Sequence, residues 1–269
     1  MSIFIDVHEL NQPVKWIDTR FNLADSKAGS MYYLEGHIES AVYWHLEDDL
    51  SDMTSKDGRH PMPSKAALQL LFERSGLLQS DSIVIYDQGG TPFAPRAWFM
   101  LKYAGFQNVK IVNGGYAVLV AAGLPITAEP SKVQGTSLEI EWQESLIASR
   151  SDVKQVVDAG VFATLLDARS YERYIGKVEP LDPIAGHIPT AHNFDWEQLK
   201  DGAQFVRSEK LVSRYKKDNS YIVYCGSGVT AAPLFASLFN EGYNDIKLYV
   251  GSYSDWITSY PVATGDEME

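Results

Sequence analysis

The residue with the clearest capacity for chemistry is Cys225, the single cysteine of the chain. It follows the apolar run YIVY at 221–224, which is typical of a buried strand, and precedes Gly226 and Gly228. Glycines in such a loop allow backbone N–H groups to turn inward and form an anion-binding nest. The N-terminus of a following helix would favour the thiolate, which is the nucleophilic form. We therefore predict that Cys225 is a nucleophile in an anion-binding loop, rather than a buried structural cysteine.

An internal duplication shows which elements must position this loop. Four segments of the first half recur in the same order in the second: WIDTR at 16–20 as LLDAR at 165–169, GHIESA at 36–41 as GHIPTA at 186–191, SIVIYD at 82–87 as YIVYC at 221–225, and GFQNVKIVNGGY at 105–116 as GYNDIKLYVGSY at 242–253. Each half alternates short apolar strands with helical segments, so the sequence predicts two α/β units, each with a mostly parallel sheet flanked by helices.

Helix boundaries can be predicted on either side of the paired strands. In the second half Thr230 is the expected N-cap and Gly242 the expected residue just beyond the helix; in the first half Thr91 and Gly105 are expected in these places. The stretch 125–149 lacks sustained periodicity and is interpreted as a connecting segment.

Length and composition agree with two globular domains. The chain has 269 residues, of which 45% are hydrophobic and 22% are charged, with a formal net charge of -12. Such a negative charge argues against nucleic acid as a partner, because phosphate binding needs clustered Lys and Arg. No run approaches the roughly 18–20 apolar residues of a membrane span. The absence of a secretory signal and of paired cysteines favours the reducing cytoplasm.

The repeated D-x-R and G-H-I motifs, with the strand–loop–helix pattern, resemble tandem rhodaneses over nearly the whole chain. The loop CGSGVTA at 225–231 is similar to that of the branch containing 3-mercaptopyruvate sulfurtransferases. The resemblance implies an inactive N-terminal rhodanese-like domain at 1–126, a linker at 127–149 and a catalytic domain at 150–269. Asp87 takes the position that matches Cys225 and cannot carry a sulfane sulfur.

The same resemblance implies roles for individual residues. Arg173 matches the arginine that faces the substrate anion, and a guanidinium can bind a carboxylate or sulfonate bidentately. The loop residues expected to bind substrate are Gly226, Gly228, Val229 and Thr230.

Mercaptopyruvate enzymes also use a Ser–His–acid relay. Ser227 fits the serine and His60 the histidine, which has no counterpart in the second half. Glu47 is the preferred acid, with Asp48 and Asp49 beside it as alternatives. The relay could move a proton during sulfur transfer.

One departure from the family pattern leaves the sulfur donor open. These enzymes commonly place a second carboxylate-binding arginine shortly before G-H-I, where this chain has VEPLDP at 178–183. The expected activity is transfer of a sulfane sulfur from 3-mercaptopyruvate or thiosulfate, both small anions, through a Cys225 persulfide. The acceptor would be a thiol, cyanide or a thioredoxin-like protein. No metal or organic cofactor is expected, and a monomer is the simplest assembly.

Three alternative functions were weighed. A cysteine phosphatase needs an arginine six positions after its nucleophile, where this chain has Ala231, so this alternative is disfavoured. A non-catalytic sulfur carrier or regulatory binding module is the second alternative; the Cys225 loop and Arg173 argue against it, and a loop that never accumulates persulfide with any donor would favour it. A redox-sensing thiol stays open, because a thiolate of low pKa is also easily oxidised.

Overall fold

The computed structural model describes residues 2–10, 13–160 and 163–266. The described strands are β1 (Phe4–Ile5), β2 (Lys15–Asp18), β3 (His37–Ile38), β4 (Val42–Tyr43), β5 (Ile83–Tyr86), β6 (Val109–Val112), β7 (Ile126–Thr127), β8 (Thr164–Asp167), β9 (His192–Asn193), β10 (Lys200–Asp201), β11 (Gln204–Phe205), β12 (Tyr221–Tyr224) and β13 (Ile246–Leu248). The described α-helices are α1 (Ala28–Glu35), α2 (Lys65–Arg74), α3 (Phe93–Tyr103), α4 (Gly115–Ala121), α5 (Arg150–Ala159), α6 (Tyr171–Tyr174), α7 (Glu209–Arg214), α8 (Ala231–Asn240) and α9 (Ser252–Trp256).

These elements group into two compact units, and each contains a short segment from the opposite half of the sequence. Unit 1 comprises Met1–Asp52, Pro63–Gln143 and Lys200–Phe205, and unit 2 comprises Met53–Met62, Glu144–Leu199 and Val206–Glu269. The α/β class predicted from the sequence is confirmed in both units. Within the described residues, no helix combines the length and apolar character that a membrane span needs.

Unit 1 is built on a parallel sheet with the strand order β1-β6-β5-β2-β4. All four residues of β5 are buried, as its continuous apolar run predicts. Trp16, Val84 and Leu119 belong to one core cluster of this unit. The antiparallel hairpin of β10 and β11 also lies in unit 1, where the Asn113 side chain bonds to the backbone of Phe205.

Unit 2 is built on a parallel sheet with the strand order β13-β12-β8-β9. Strand β12 lies between β13 and β8 and is buried along its whole length. Leu165, Ile222 and Trp256 belong to its core cluster. Because the strands are parallel, their carboxyl ends lie at one edge of the sheet, and Cys225 follows β12 at that edge.

The D-x-R motif makes the same contacts in both copies. In unit 1 the Arg20 guanidinium donates to both Asp18 carboxylate oxygens and to the carbonyl of Gly36. In unit 2 Arg169 donates in the same way to Asp167 and to the carbonyl of Gly186. Burial disfavours the charged form of Arg169, but the adjacent Asp167 carboxylate outweighs this and raises the pKa of the guanidinium. The repeated pair ties the end of a central strand to the G-H-I turn.

The G-H-I turn is also built identically in both copies. Nδ1 of His37 lies 2.7 Å from the carbonyl oxygen of Tyr33, and Nδ1 of His187 lies 2.8 Å from that of Tyr174. Each imidazole also stacks on the ring of the tyrosine whose carbonyl it contacts. These contacts explain why the histidine is present in both copies, including the copy without a cysteine. Its role is to stabilise the fold.

The helix boundaries agree with the predictions at all but one place. Gly242 and Gly105 lie just past the ends of α8 and α3 with φ of 85° and 81°, a left-handed conformation that favours glycine. Thr230 is the N-cap of α8, although its side chain makes no capping hydrogen bond. The N-cap of α3 is Pro92 and not Thr91, so this prediction is wrong by one residue. Proline is tolerated there because the first helical N–H groups lack intrahelical partners.

Candidate active site

Cys225 is buried at the carboxyl end of β12, where the backbone of the next residues turns towards it. The N–H of Gly228 donates to its Sγ atom at 3.1 Å. Gly228 has φ of 78°, and a Cβ there would overlap the carbonyl oxygen of Val250, so the turn requires glycine. The loop therefore turns a backbone donor onto the sulfur, as expected of a nest that holds a negatively charged sulfur atom.

Ser252 accepts a hydrogen bond from the backbone of Cys225, and no role was predicted for it from the sequence. Its Oγ accepts the N–H of Cys225 at 3.1 Å, donates to the Tyr249 carbonyl at 2.8 Å and lies 4.0 Å from Sγ. The residue is fully buried with φ of 56°, a conformation that is costly for any residue with a side chain. Gly115 takes the equivalent place in the other copy with φ of 66°. The signal available in the sequence was that GGY at 114–116 is replaced by GSY at 251–253 in the second copy.

Ser227 and His60, the serine and histidine of the predicted relay, lie within hydrogen-bonding distance of each other. Nδ1 of His60 lies 2.9 Å from Oγ of the buried Ser227. The histidine belongs to the segment Met53–Met62, which is part of unit 2 although it comes from the first half of the sequence. Which of the two atoms donates depends on the tautomer of the imidazole.

The acid of the relay is not identified by these contacts. Glu47 belongs to unit 1, where its backbone N–H donates to Nδ1 of His45. Of the two alternatives, Asp48 is exposed and Asp49 forms an ion pair with Arg74. Burial raises the pKa of Asp49 in spite of that pair. The role of Glu47 stays a prediction.

Arg173 lies beside the loop, next to Gly226. Its Nη2 would be 3.2 Å and its Nη1 3.5 Å from a Cβ at this glycine. Glu179 accepts hydrogen bonds from Nε and Nη2 of Arg173 at 3.1 and 2.7 Å. Asp182 lies 3.3 Å from the same Nη2. The guanidinium predicted to face the substrate is therefore held in place by two carboxylates.

Glu179 is the shared acceptor in this cluster. Besides Arg173, it accepts from Nη1 of Arg169 at 3.1 Å and from the backbone N–H groups of Leu181 and Asp182. Burial disfavours its charged form, but the hydrogen bonds from Arg173 and the backbone outweigh this and lower the pKa of Glu179. The carboxylate is thus ionised at neutral pH and fixes the arginines around it.

Arg59 supplies a second guanidinium at the loop, and no role was predicted for it from the sequence. Its Nη2 would be 2.5 Å from a Cβ at Gly226. Asp182 accepts hydrogen bonds from its Nε at 2.9 Å and its Nη2 at 3.1 Å. Asp182 lies in the VEPLDP stretch, where the family pattern led us to look for an arginine. Its neighbour His60, a predicted member of the relay, was the only signal for Arg59.

The remaining loop residues predicted to bind substrate, Val229 and Thr230, directly precede α8. Val229 is buried, and its carbonyl accepts the N–H of Ala232. Thr230 is half-buried.

The corresponding loop of unit 1 is filled by its own carboxylate. Asp87 is buried, and it accepts hydrogen bonds from the N–H groups of Gly89 at 2.7 Å and Ala94 at 3.0 Å. Burial raises the pKa of this carboxyl group. A Cβ at Gly90 would be 2.8 Å from the carbonyl oxygen of Gly202, so the hairpin of β10 and β11 packs closely on the loop. The loop of unit 1 thus holds a carboxyl group that belongs to the protein.

Comparisons with known proteins agree with the duplicated fold and the site. The profile of the rhodanese-like domain matches residues 6–122 and 149–259. A Pseudomonas aeruginosa protein named "Probable 3-mercaptopyruvate sulfurtransferase" is 38% identical over 263 residues, covering 93% of this chain and 92% of that protein. A Mycobacterium tuberculosis protein with the provisional name thiosulfate sulfurtransferase SseB is 38% identical over 268 residues, covering 96% of this chain and 93% of the relative.

A solved structure shows the same fold. The crystal structure of SseA from Escherichia coli, described as a 3-mercaptopyruvate sulfotransferase, superposes with a TM-score of 0.80 at 28% identity. It covers 94% of this chain and 100% of SseA.

The chain belongs to the rhodanese family, with two rhodanese-like domains in tandem. Its relatives at this level of identity are sulfurtransferases, and this chain is an enzyme of that class.

Proposed function

We propose that the protein transfers a sulfane sulfur from a small anionic donor to a thiol acceptor through a persulfide on Cys225. The observation that carries this proposal is the hydrogen bond of 3.1 Å from the Gly228 N–H to Sγ, in a loop flanked by two guanidinium groups. A backbone donor aimed at the sulfur stabilises negative charge on it, both before and after the second sulfur is attached.

In the first half-reaction the Cys225 thiolate attacks the sulfur atom of the donor that is transferred. With thiosulfate, an S–S bond forms as the sulfur–sulfur bond of the donor breaks, and sulfite leaves with the electron pair. With 3-mercaptopyruvate, the C–S bond breaks and the electron pair remains on the pyruvate carbon as an enolate. The thiol proton of the donor ends on that carbon, and the products are pyruvate and a cysteine persulfide.

The Ser227–His60 pair would serve the second of these routes. An enolate must be protonated before pyruvate leaves, and a hydroxyl hydrogen-bonded to an imidazole at 2.9 Å can deliver a proton. Sulfite needs no such proton. Arg173 would hold the anionic end of either donor, because Glu179 fixes its Nε and Nη2 while no hydrogen bond of the described residues engages Nη1.

In the second half-reaction an acceptor removes the terminal sulfur. Since Cys225 is the single cysteine, no internal thiol can resolve the persulfide, and the acceptor must be external: a small thiol, cyanide or a thioredoxin-like protein.

The test is intact-protein mass spectrometry after mixing with 3-mercaptopyruvate or thiosulfate, on the native chain and on Cys225→Ser. The proposal requires the mass of one added sulfur that vanishes in the variant and is released by a thiol. If neither donor adds a sulfur, the persulfide route is wrong. The faster donor identifies the preferred substrate.

A further inference from the structure

Arg59 reaches the loop because its own backbone is fixed in unit 2. The N–H of Arg59 donates to Oγ of Ser254 at 3.1 Å. Gly58 has φ of 102°, and a Cβ there would be 2.8 Å from both the Gly251 carbonyl oxygen and Ser254 Oγ. The chain thus passes too close to α9 for a side chain at residue 58, and this close approach directs residue 59 towards Gly226.

Two arginines share one carboxylate at this place. Asp182 accepts from Nε and Nη2 of Arg59 and also lies 3.3 Å from Nη2 of Arg173. Two guanidinium groups this close repel each other, and a carboxylate between them offsets the repulsion. Among the hydrogen bonds of the described residues, none engages Nη1 of either arginine, so both keep donors for a ligand.

The exposure of these groups shows which charge a ligand meets. The side chains of Glu179 and Asp182 are each 2% exposed, whereas Arg59 is 30% and Arg173 is 16% exposed. The carboxylates lie beneath and the guanidiniums lie outside them. The surface next to Gly226 is therefore cationic, although the local charges nearly balance.

We infer that Arg59, with Arg173, binds the oxyanion end of the sulfur donor, and that Asp182 is the positioning residue that holds Arg59 there. This assignment rests on the proposed function. Two planar guanidiniums on one face match a carboxylate or sulfonate group, each of which has at least two oxygens to share. The second arginine missing from VEPLDP is thus supplied by a segment far away in the sequence, and the aspartate in that stretch orients it.

The experiment uses Cys225 as its own reporter, since no other thiol competes. We would measure the alkylation rates of Cys225 with iodoacetate, an anion, and with iodoacetamide, its neutral analogue. The ratio of the two rates reports anion binding beside the sulfur and does not depend on sulfur transfer. In Arg59→Gln we expect this ratio to fall about 10-fold, and kcat/KM for the donor to fall about 10- to 100-fold, mostly through KM.

Further variants separate binding from a merely structural role. Arg59→Lys keeps the charge without the planar fork, so it should recover part of the iodoacetate preference and less of the donor kcat/KM. Asp182→Asn leaves both arginines but loosens Arg59, and should lower the ratio by a smaller factor. Arg150→Gln is the matched control: this arginine of unit 2 is 33% exposed and also pairs with an aspartate, Asp255. Its ratio should remain that of the native protein.

The inference and the proposed function fail in different ways. An unchanged alkylation ratio in Arg59→Gln, with native persulfide formation, overturns the role of Arg59 alone. A fall of the same size in Arg150→Gln also overturns it, because the effect would then be one of overall charge. If Arg59→Gln does not fold, Arg59→Lys decides by the same ratio. Absence of a persulfide in the native chain refutes the proposed function and leaves the anion site to be judged by alkylation.

Discussion

Nδ1 of His60 lies 2.9 Å from Oγ of Ser227, although the two residues are 167 positions apart in the sequence. The contact lies within unit 2, because the segment Met53–Met62 is part of it. It places a titratable ring on the hydroxyl that follows Cys225 by two residues, and it suggests a proton route that only some donors need.

Ser227→Ala should therefore discriminate between the donors. We expect kcat/KM for 3-mercaptopyruvate to fall about 100-fold, because the enolate loses its proton donor, and kcat/KM for thiosulfate to change less than about 3-fold. His60→Ala should have the same selective effect, and the double variant should be little worse than either one. Ser213→Ala, at an exposed serine of unit 2, is the control. Equal losses with both donors would contradict the proton route.

Two glycines of the loop should respond to alanine in opposite ways. The three atoms nearest to a Cβ at Gly226 belong to the guanidinium ends of Arg59 and Arg173, which can move aside. Gly226→Ala should thus fold with nearly native stability and lose donor binding, with KM raised about 10-fold. A Cβ at Gly228 meets backbone and has φ of 78°, so Gly228→Ala should be destabilised by about 1–3 kcal/mol.

Urea denaturation and donor kinetics of the two alanine variants check this contrast. A destabilised Gly226→Ala with unchanged KM would show that the guanidiniums are not where donor binds.

The pH dependence of stability should report the ionised Glu179. Its pKa is lowered from the ordinary value of 4.5 in the folded state, because hydrogen bonds from Arg173 and the backbone outweigh burial. The unfolded chain therefore binds the proton more readily, and the stabilisation by Glu179 is present above pH 4.5 and lost as the pH falls below it. Glu179→Gln should have a lower thermal midpoint than the native protein at pH 7. This gap between the two midpoints should narrow as the pH falls below 4.5.

Thermal unfolding of both proteins between pH 7 and pH 3.5 measures the gap. Glu172→Gln, at an exposed carboxylate on α6, is the matched control and should follow the native curve. A gap for Glu179→Gln that does not change with pH would contradict the assignment.

A cysteine introduced into the loop of unit 1 should not take up sulfur. In a Cys225→Ser background, Asp87→Cys is expected to take up no sulfur from either donor. Ala24 stands at the position of Arg173 relative to the D-x-R motif, and Gly115 stands at that of Ser252. The change should also cost about 1–3 kcal/mol, since the N–H groups of Gly89 and Ala94 lose the carboxylate that they share.

Mass spectrometry after donor treatment tests this variant, with the native chain as the positive control. A persulfide at residue 87 would mean that the loop backbone alone is sufficient for the reaction.

The sequence predicted the parts of this architecture that depend on local pattern and on repetition. Apolar runs marked β5 and β12, and the duplicated motifs identified the residues that hold both copies together. The Cys225 loop could be found because its glycines, strand and helix are contiguous. Arg59 and Asp182 could not be paired from sequence, because their contact joins distant segments and neither residue recurs in the other copy. The same is true of Ser252, whose role depends on a backbone conformation that sequence patterns do not reveal.

The reciprocal placement of short segments has a consequence for synthesis. Translation proceeds from the N-terminus, and nascent domains usually fold as they emerge, at about 5–20 residues per second. Unit 1 is complete only when Lys200–Phe205 has been synthesised, which follows the synthesis of much of unit 2. The segment Met53–Met62 is synthesised before the rest of unit 2, so it cannot pack in its final place until that part has been made. Neither half of the gene encodes a finished unit. If the gene were split between the two rhodanese-like repeats, the N-terminal fragment would lack the hairpin of unit 1, and the C-terminal fragment would lack Arg59 and His60 of unit 2.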